Sequence, residues 1–243
     1  MRQTAAVVAT LAALSACSSG PTAPTPTAAG QCADLIVLGV RGQGQSARAA
    51  GGVGAEVQNS TKALIEQLEG GERVRLEAIR YPASAAASMA EFDHDVEAGR
   101  LQLLARHAAL GSACPRSRFV LIGYSEGADV VHRAVASMSA QQASDIAVVA
   151  VLGDPLRLST DQVATESYGS GPLKGRGSLG GGPPWGKDVR NRVISFCNAD
   201  DNVCNAPLSG RRTSISTIHR TFYEKRSSAR VTAERMARVI GTR

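Results

Sequence analysis

The stretch Phe119-Val-Leu-Ile-Gly-Tyr-Ser-Glu-Gly-Ala-Asp-Val-Val-His-Arg-Ala-Val135 decides the fold. Its first four residues are apolar and read as a buried strand, and from Glu126 to about residue 138 the pattern is helical. Where the two meet stands Gly123-Tyr-Ser-Glu-Gly127. A serine between two glycines at a strand-to-helix junction makes a sharp, strained turn that projects the hydroxyl outward. The glycines leave room for neighbouring backbone. The helix N-terminus behind it offers free N–H groups and a positive dipole end to a developing oxyanion. In a chain of this length the pentapeptide alone arises by chance about one time in ten, so its surroundings must carry the reading.

Outward from the turn, four more short Val/Ile/Leu-rich runs join Phe119–Gly123 as buried strands. They are Leu35–Val40, Val74–Arg80, Ala147–Leu152 and Arg192–Phe196. Helical patterns lie near 53–69, 85–110, 126–138 and 229–240. Alternating strands and helices predict an α/β fold: a three-layer sandwich with a central five-stranded parallel sheet flanked by helices. Residues 155–190, punctuated by Gly-Ser-Gly-Pro and Gly-Gly-Gly-Pro-Pro-Trp, read as a long loop. Ligands of such sheets bind beyond the C-terminal strand ends. Gly39 to Gly44, Tyr81-Pro82, Gly123 to Gly127, Gly153-Asp154-Pro155 and Cys197 to Cys204 all fall there.

The chain has 243 residues, enough for one α/β domain with a proper core. It is 43% hydrophobic and 20% charged, which excludes a disordered protein. The net charge of +6 comes from basic residues spread without a dense block, so no nucleic-acid partner is expected. At the N-terminus, Met1-Arg2 precedes an apolar run, Thr4 to Leu14, too short to span a bilayer. Leu14-Ser15-Ala16-Cys17 resembles a bacterial lipobox, which would make Cys17 the lipidated residue. Residues 1–17 thus read as a lipoprotein signal peptide, with an ordinary secretory signal as the alternative. Either one exports the protein, leaving it lipid-anchored on the extracytoplasmic face of the membrane or secreted. Residues 18–30 are a Pro/Thr-rich linker, and the folded domain takes in 31–243.

With Cys17 set aside, four cysteines remain and allow three pairings. We favour Cys32–Cys114, which pins the start of the domain, and Cys197–Cys204, which closes a short loop in an oxidising compartment. No metal is expected: a lone C-x6-C with no nearby histidine has the wrong spacing for zinc.

A serine hydroxyl is a poor nucleophile until a base activates it and an acid orients the base. The chain offers four histidines. His132 lies seven residues beyond Ser125 on the same helix, about 10 Å along its axis, and cannot reach back. His94 and His107 fall in the preceding helix as surface or packing residues. His219 follows all five strands, where a Ser–acid–His chain order puts the base. For the acid, Asp201 sits in Cys197-Asn-Ala-Asp-Asp-Asn-Val-Cys204, where a closed loop would hold it rigidly. Asp200 and Asp154 are the alternatives, Asp154 having a turn-ordering role open to it.

The ordered set of motifs resembles the cutinase family of serine esterases, small lidless α/β-hydrolases, and most of all its actinobacterial members. It comprises Cys32-Ala-Asp-Leu-Ile-Val37, Val40-Arg-Gly42, Tyr81-Pro-Ala83, Gly123-Tyr-Ser-Glu-Gly-Ala128, Leu152-Gly-Asp-Pro155, the C-x6-C bracket and His219 before Tyr223. The resemblance implies a cutinase-like fold, no cofactor, the same two disulfides, and ester hydrolysis by a Ser125–Asp201–His219 triad. It also implies an oxyanion hole at Glu126 and Gln43. Both positions depart from the family, which usually has Gln at the first and Ser or Thr at the second. Their backbone N–H groups remain, and the Gln43 amide adds a donor, but the Glu126 carboxylate must point away from the oxyanion. Losing one such donor elsewhere costs about two to three orders of magnitude in rate.

Ile215, Ile218 and Phe222, near the base, are candidates for an acyl groove or for the core. Arg211, Arg212 and Arg220 are candidates for anionic lipid headgroups or plain solvated residues. The expected partner is an ester or lipid substrate with short to medium acyl chains, envelope lipids included, and the expected state is a monomer. An acyltransferase with the same triad and a catalytically inactive envelope-binding lipoprotein are the alternative functions.

Overall fold

The computed structural model describes residues 32–68, 71–169, 171–209 and 214–241. The expected signal segment with Cys17, the expected linker, and Arg211 and Arg212 lie outside the described residues. The domain opens with β1 (Leu35–Val40), α1 (Ala55–Gln67), β2 (Val74–Ala78) and α2 (Met89–Ala113). Its centre is β3 (Arg118–Tyr124), α3 (Glu126–Ala136), α4 (Ala140–Ala143) and β4 (Ile146–Leu152). It closes with β5 (Ala164–Tyr168), β6 (Val193–Asn198), α5 (Thr217–Thr221) and α6 (Arg226–Gly241). The strands form one parallel sheet in the order β2-β1-β3-β4-β6-β5.

Period-two alternation sorts the core into two layers. Ile36, Leu38, Phe119 and Leu121 pack with Val96, Leu103, Val131 and Val135 of α2 and α3. Leu35, Val37, Val120 and Ile122 face the other way, onto Val57 and Leu64 of α1 and Met236 and Ile240 of α6. Because both faces are covered, β1, β3 and β4 read as unbroken apolar runs. The disulfide Cys32–Cys114, with Cα atoms 5.5 Å apart, ties the residues before β1 to the end of α2.

The sheet has six strands, one more than the five read from sequence. The extra one, β5, lies inside the stretch read as a loop. Its residues, Ala-Thr-Glu-Ser-Tyr, are exposed or half-exposed except Tyr168, so they carry no apolar pattern. Backbone pairing makes it a strand: Ala164 registers with Ile194 and Tyr168 with Asn198 along the sheet edge. The helix predicted near 85–110 begins at Met89, because the Ser88 hydroxyl accepts from the Glu91 N–H at 3.2 Å and caps it there.

Candidate active site

The turn after β3 is as tight as backbone permits. A Cβ on Gly123 would lie 2.1 Å from the Gly127 carbonyl oxygen, and one on Gly127 would lie 2.3 Å from that of Val40. Both positions therefore exclude any side chain. Ser125 itself has φ +57° and ψ −120°, a region an L-residue occupies only under strain. Its N–H donates to the Leu152 carbonyl at 2.9 Å, and its own carbonyl accepts from Ala128 and Asp129. The strained residue is thus tied to β4 on one side and to the first turn of α3 on the other.

His219 enters from α5, a short helix capped by the Ser216 hydroxyl. Its Nε2 is 2.8 Å from Ser125 Oγ, and its Nδ1 is 2.9 Å from Asp201 Oδ2 and 3.0 Å from Oδ1. Asp201 is fully buried. Its Oδ2 also accepts from the Tyr223 hydroxyl at 2.7 Å and its Oδ1 from the Val203 N–H at 2.8 Å. The Cys197–Cys204 disulfide closes the loop that carries Asp201. From inside, the buried Arg157 braces that loop, donating to the Cys204 carbonyl at 2.6 Å. Asn202 clamps it to the segment leading into α5, donating to the Ser214 carbonyl at 2.7 Å and accepting from the Ser216 N–H at 2.9 Å. Tyr124 stacks on the imidazole with centroids 5.1 Å apart and donates its hydroxyl to the His219 carbonyl. Gly153, at φ +61°, leaves the space the pair needs: a Cβ there would come within 3.0 Å of His219 Cε1 and 3.1 Å of Asp201 Oδ2.

The other acids are elsewhere. Asp200 is exposed. Asp154 binds His132 instead, Oδ2 to Nδ1 at 2.8 Å, while His132 Nε2 faces the Pro183 carbonyl at 2.9 Å and the ring stacks on Trp185. Burial alone would push this histidine's pKa down, but Asp154 and the Pro183 carbonyl together outweigh it and raise it. With a partner at each ring nitrogen, His132 ties the 155–190 segment to α3. His107 packs edge-on against Phe119 and bonds Asp145 at 2.9 Å, and His94 is exposed.

On the opposite side of Ser125, Gln43 sits in a loop held by a reciprocal clasp. The buried Arg41 guanidinium donates to the carbonyls of Tyr81, Pro82 (2.8 Å) and Gln45 (3.0 Å), and the Tyr81 hydroxyl donates back to the Arg41 carbonyl at 2.5 Å. The N–H groups of Gln43 and Glu126 find no protein acceptor among the described residues. Sequence reasoning missed Tyr223, Tyr124, Gly153 and Arg41 as site residues. Their signal was membership of the motifs, with no chemistry visible in the residues themselves.

A groove of about 500 Å³ opens over Ser125. Met89 and Phe92 of α2, Pro155 and Leu179 of the 155–190 segment, and Val203, Pro207 and Ile215 give it apolar walls. Gln43 and Glu126 also line it, and Arg176 is its one cationic residue among those described. Of the three apolar candidates near the base, Ile215 lines the groove. Phe222 packs instead on Tyr168 and Tyr223, and Ile218 is not among the lining residues. Arg220 is exposed.

The Cutinase family model matches residues 31–232. Carboxylesterase Culp1 of Mycobacterium tuberculosis is 32% identical over 200 residues, which is 82% of this chain and 79% of that protein. A cutinase of Kineococcus radiotolerans is 32% identical over 192 residues, 75% of this chain and 55% of that protein. A solved cutinase-like protein from Cryptococcus sp. superposes with a TM-score of 0.69 at 18% identity, covering 86% of this chain and 95% of its own. The catalytic core of an acetyl xylan esterase from Trichoderma reesei does so at 0.64 and 18%, covering 87% and 99%. These structural likenesses speak to the fold, and the family match spans nearly all of the described domain. The chain belongs to the cutinase family and is a serine carboxylic ester hydrolase.

Proposed function

We propose that the protein hydrolyses carboxylic esters through an acyl-enzyme on Ser125, with His219 as base and then acid, and Asp201 orienting it. The observation that carries this reading is the unbroken contact series from Ser125 Oγ through the His219 ring to Asp201. His219 takes the serine proton as Oγ attacks the ester carbonyl. The resulting oxyanion lies at the Glu126 and Gln43 N–H groups, which have no other partner to give up. Collapse expels the alcohol, which takes the proton from His219 Nε2. Water then repeats the sequence and releases the carboxylic acid. Asp201 holds Nδ1–H so that Nε2 is free to accept.

The apolar walls and volume of the groove suit a short to medium acyl chain, and Arg176 suits a substrate with an anionic headgroup, as in envelope lipids. The two disulfides fit an exported protein in an oxidising compartment. In this reading, residues 1–17 are the lipoprotein signal, Cys17 the lipid anchor and 18–30 the tether. The domain of residues 31–243 works as a monomer beside the membrane. Fluorophosphonate labelling and p-nitrophenyl esters of graded chain length test the catalytic part. Wild type should label and turn over, Ser125→Ala should not label, and His219→Ala should lose about 10⁴-fold or more in kcat/KM. A disulfide-intact wild type that fails to label would overturn the reading.

A further inference from the structure

We propose that Glu126 sets the pH range of this esterase: the oxyanion site works while the Glu126 carboxyl keeps its proton and fails when the proton leaves. This rests on Ser125 being the nucleophile. Glu126 follows Ser125 directly, lines the same groove and is 1% exposed. The Tyr81 hydroxyl lies beside its carboxyl but sends its one proton to the Arg41 carbonyl at 2.5 Å, so neither carboxyl oxygen receives a well-formed hydrogen bond. Two of the three Arg41 guanidinium nitrogens are likewise engaged by backbone carbonyls, those of Gln45, Tyr81 and Pro82.

The groups facing Glu126 come from four elements. They are Arg41 from the loop after β1, Tyr81 from the loop after β2, Asp95 from α2 and Asp129 from α3 itself. Asp95 accepts from the Ser84 N–H and hydroxyl, and Asp129 accepts from Arg133. A buried carboxylate with no donor is costly, and a carboxylic acid is far less so. Burial pushes this carboxyl up to about 7, with Asp95 and Asp129 adding to the push and Tyr81 and Arg41 opposing it.

The coupling to catalysis is electrostatic. The oxyanion forms at the Glu126 N–H, at the positive end of α3. A protonated side chain leaves that potential to the oxyanion, whereas an ionised one draws on it and repels the second negative charge. Glu126 thus acts through the oxyanion site without touching the ester by its side chain. The working enzyme keeps Glu126 protonated.

The test is the pH profile of kcat/KM on p-nitrophenyl butyrate, and of fluorophosphonate inactivation, for wild type, Glu126→Gln and Asp129→Asn. Each profile is normalised to its own maximum. Wild type should fall about tenfold or more on the alkaline side. Glu126→Gln should lose that limb, and Asp129→Asn should keep it. A Glu126→Gln enzyme that retains the limb, or an Asp129→Asn enzyme that loses it, overturns the proposal. Should Glu126→Gln fail to fold, the Asp129→Asn protein is titrated by infrared spectroscopy. A protonated-carboxyl band that vanishes along with the rate supports the proposal, and its absence below the limb sinks it. Failure to label at every pH would strike the Ser125 reading. Labelling with an unaltered Glu126→Gln profile would strike only this one.

Discussion

Asp201 and Glu126 are equally buried, at 0% and 1% exposure, and both stand in the candidate site, yet donors converge on the first while those beside the second turn to backbone carbonyls. Asp201 receives the His219 ring, the Tyr223 hydroxyl and the Val203 N–H. Its own loop, closed by Cys197–Cys204, turns a backbone N–H onto it. Glu126 is fixed in the first turn of α3, directly after Ser125, and its side chain lies among Arg41, Tyr81, Asp95 and Asp129. Burial by itself therefore does not assign a role to a carboxyl group. The donors within reach decide whether it serves as an anion or as an acid.

The comparison can be broken at either carboxyl. The largest expected effect is at Asp201: Asp201→Asn puts an amide against His219 that favours the wrong tautomer, and kcat should fall about 10⁴-fold. A loss under tenfold, measured on the same ester, would mean that the histidine needs no orienting acid. Glu126 comes next, through stability. The unfolded chain gives up this proton near 4.5 and the folded protein near 7, so folding stability falls as pH rises through that window, by roughly 3 kcal/mol. Denaturant unfolding at pH 5 and pH 8 should show this drop in wild type and a clearly smaller one in Glu126→Gln, where the Asp129 carboxyl, raised by burial to about 6, still contributes. Equal drops in both would show that the Glu126 carboxyl is not the group responsible. The smallest effect is at Tyr223. Tyr223→Phe removes one of several donors to Asp201, and kcat should fall about tenfold with little change in KM. An unchanged kcat would mean that His219 and Val203 satisfy the carboxylate alone.

Much of this was legible in the chain. β1, β3 and β4 announce themselves because strands covered on both faces must be apolar throughout. The edge strand β5 is invisible for the converse reason: one buried residue in five leaves no pattern, and its stability comes from hydrogen bonds to β6. Gly153 and Arg41 stood in recognisable motifs, but spacing cannot say that the first clears space for His219 or that the second clasps Tyr81 and Pro82.

By itself the sequence determined the α/β architecture and the turn bearing Ser125, through local patterns of apolar residues and glycines that act within a few residues. It also narrowed base and acid to a few positions, by chain order. Only the tertiary structure decided that Asp201, and not Asp200 or Asp154, meets His219, and that Asp154 belongs to His132. It alone buried Glu126 beside donors that turn to backbone carbonyls. A carboxyl group's partners come from segments far away in sequence, and its proton depends on those partners and on the water they exclude.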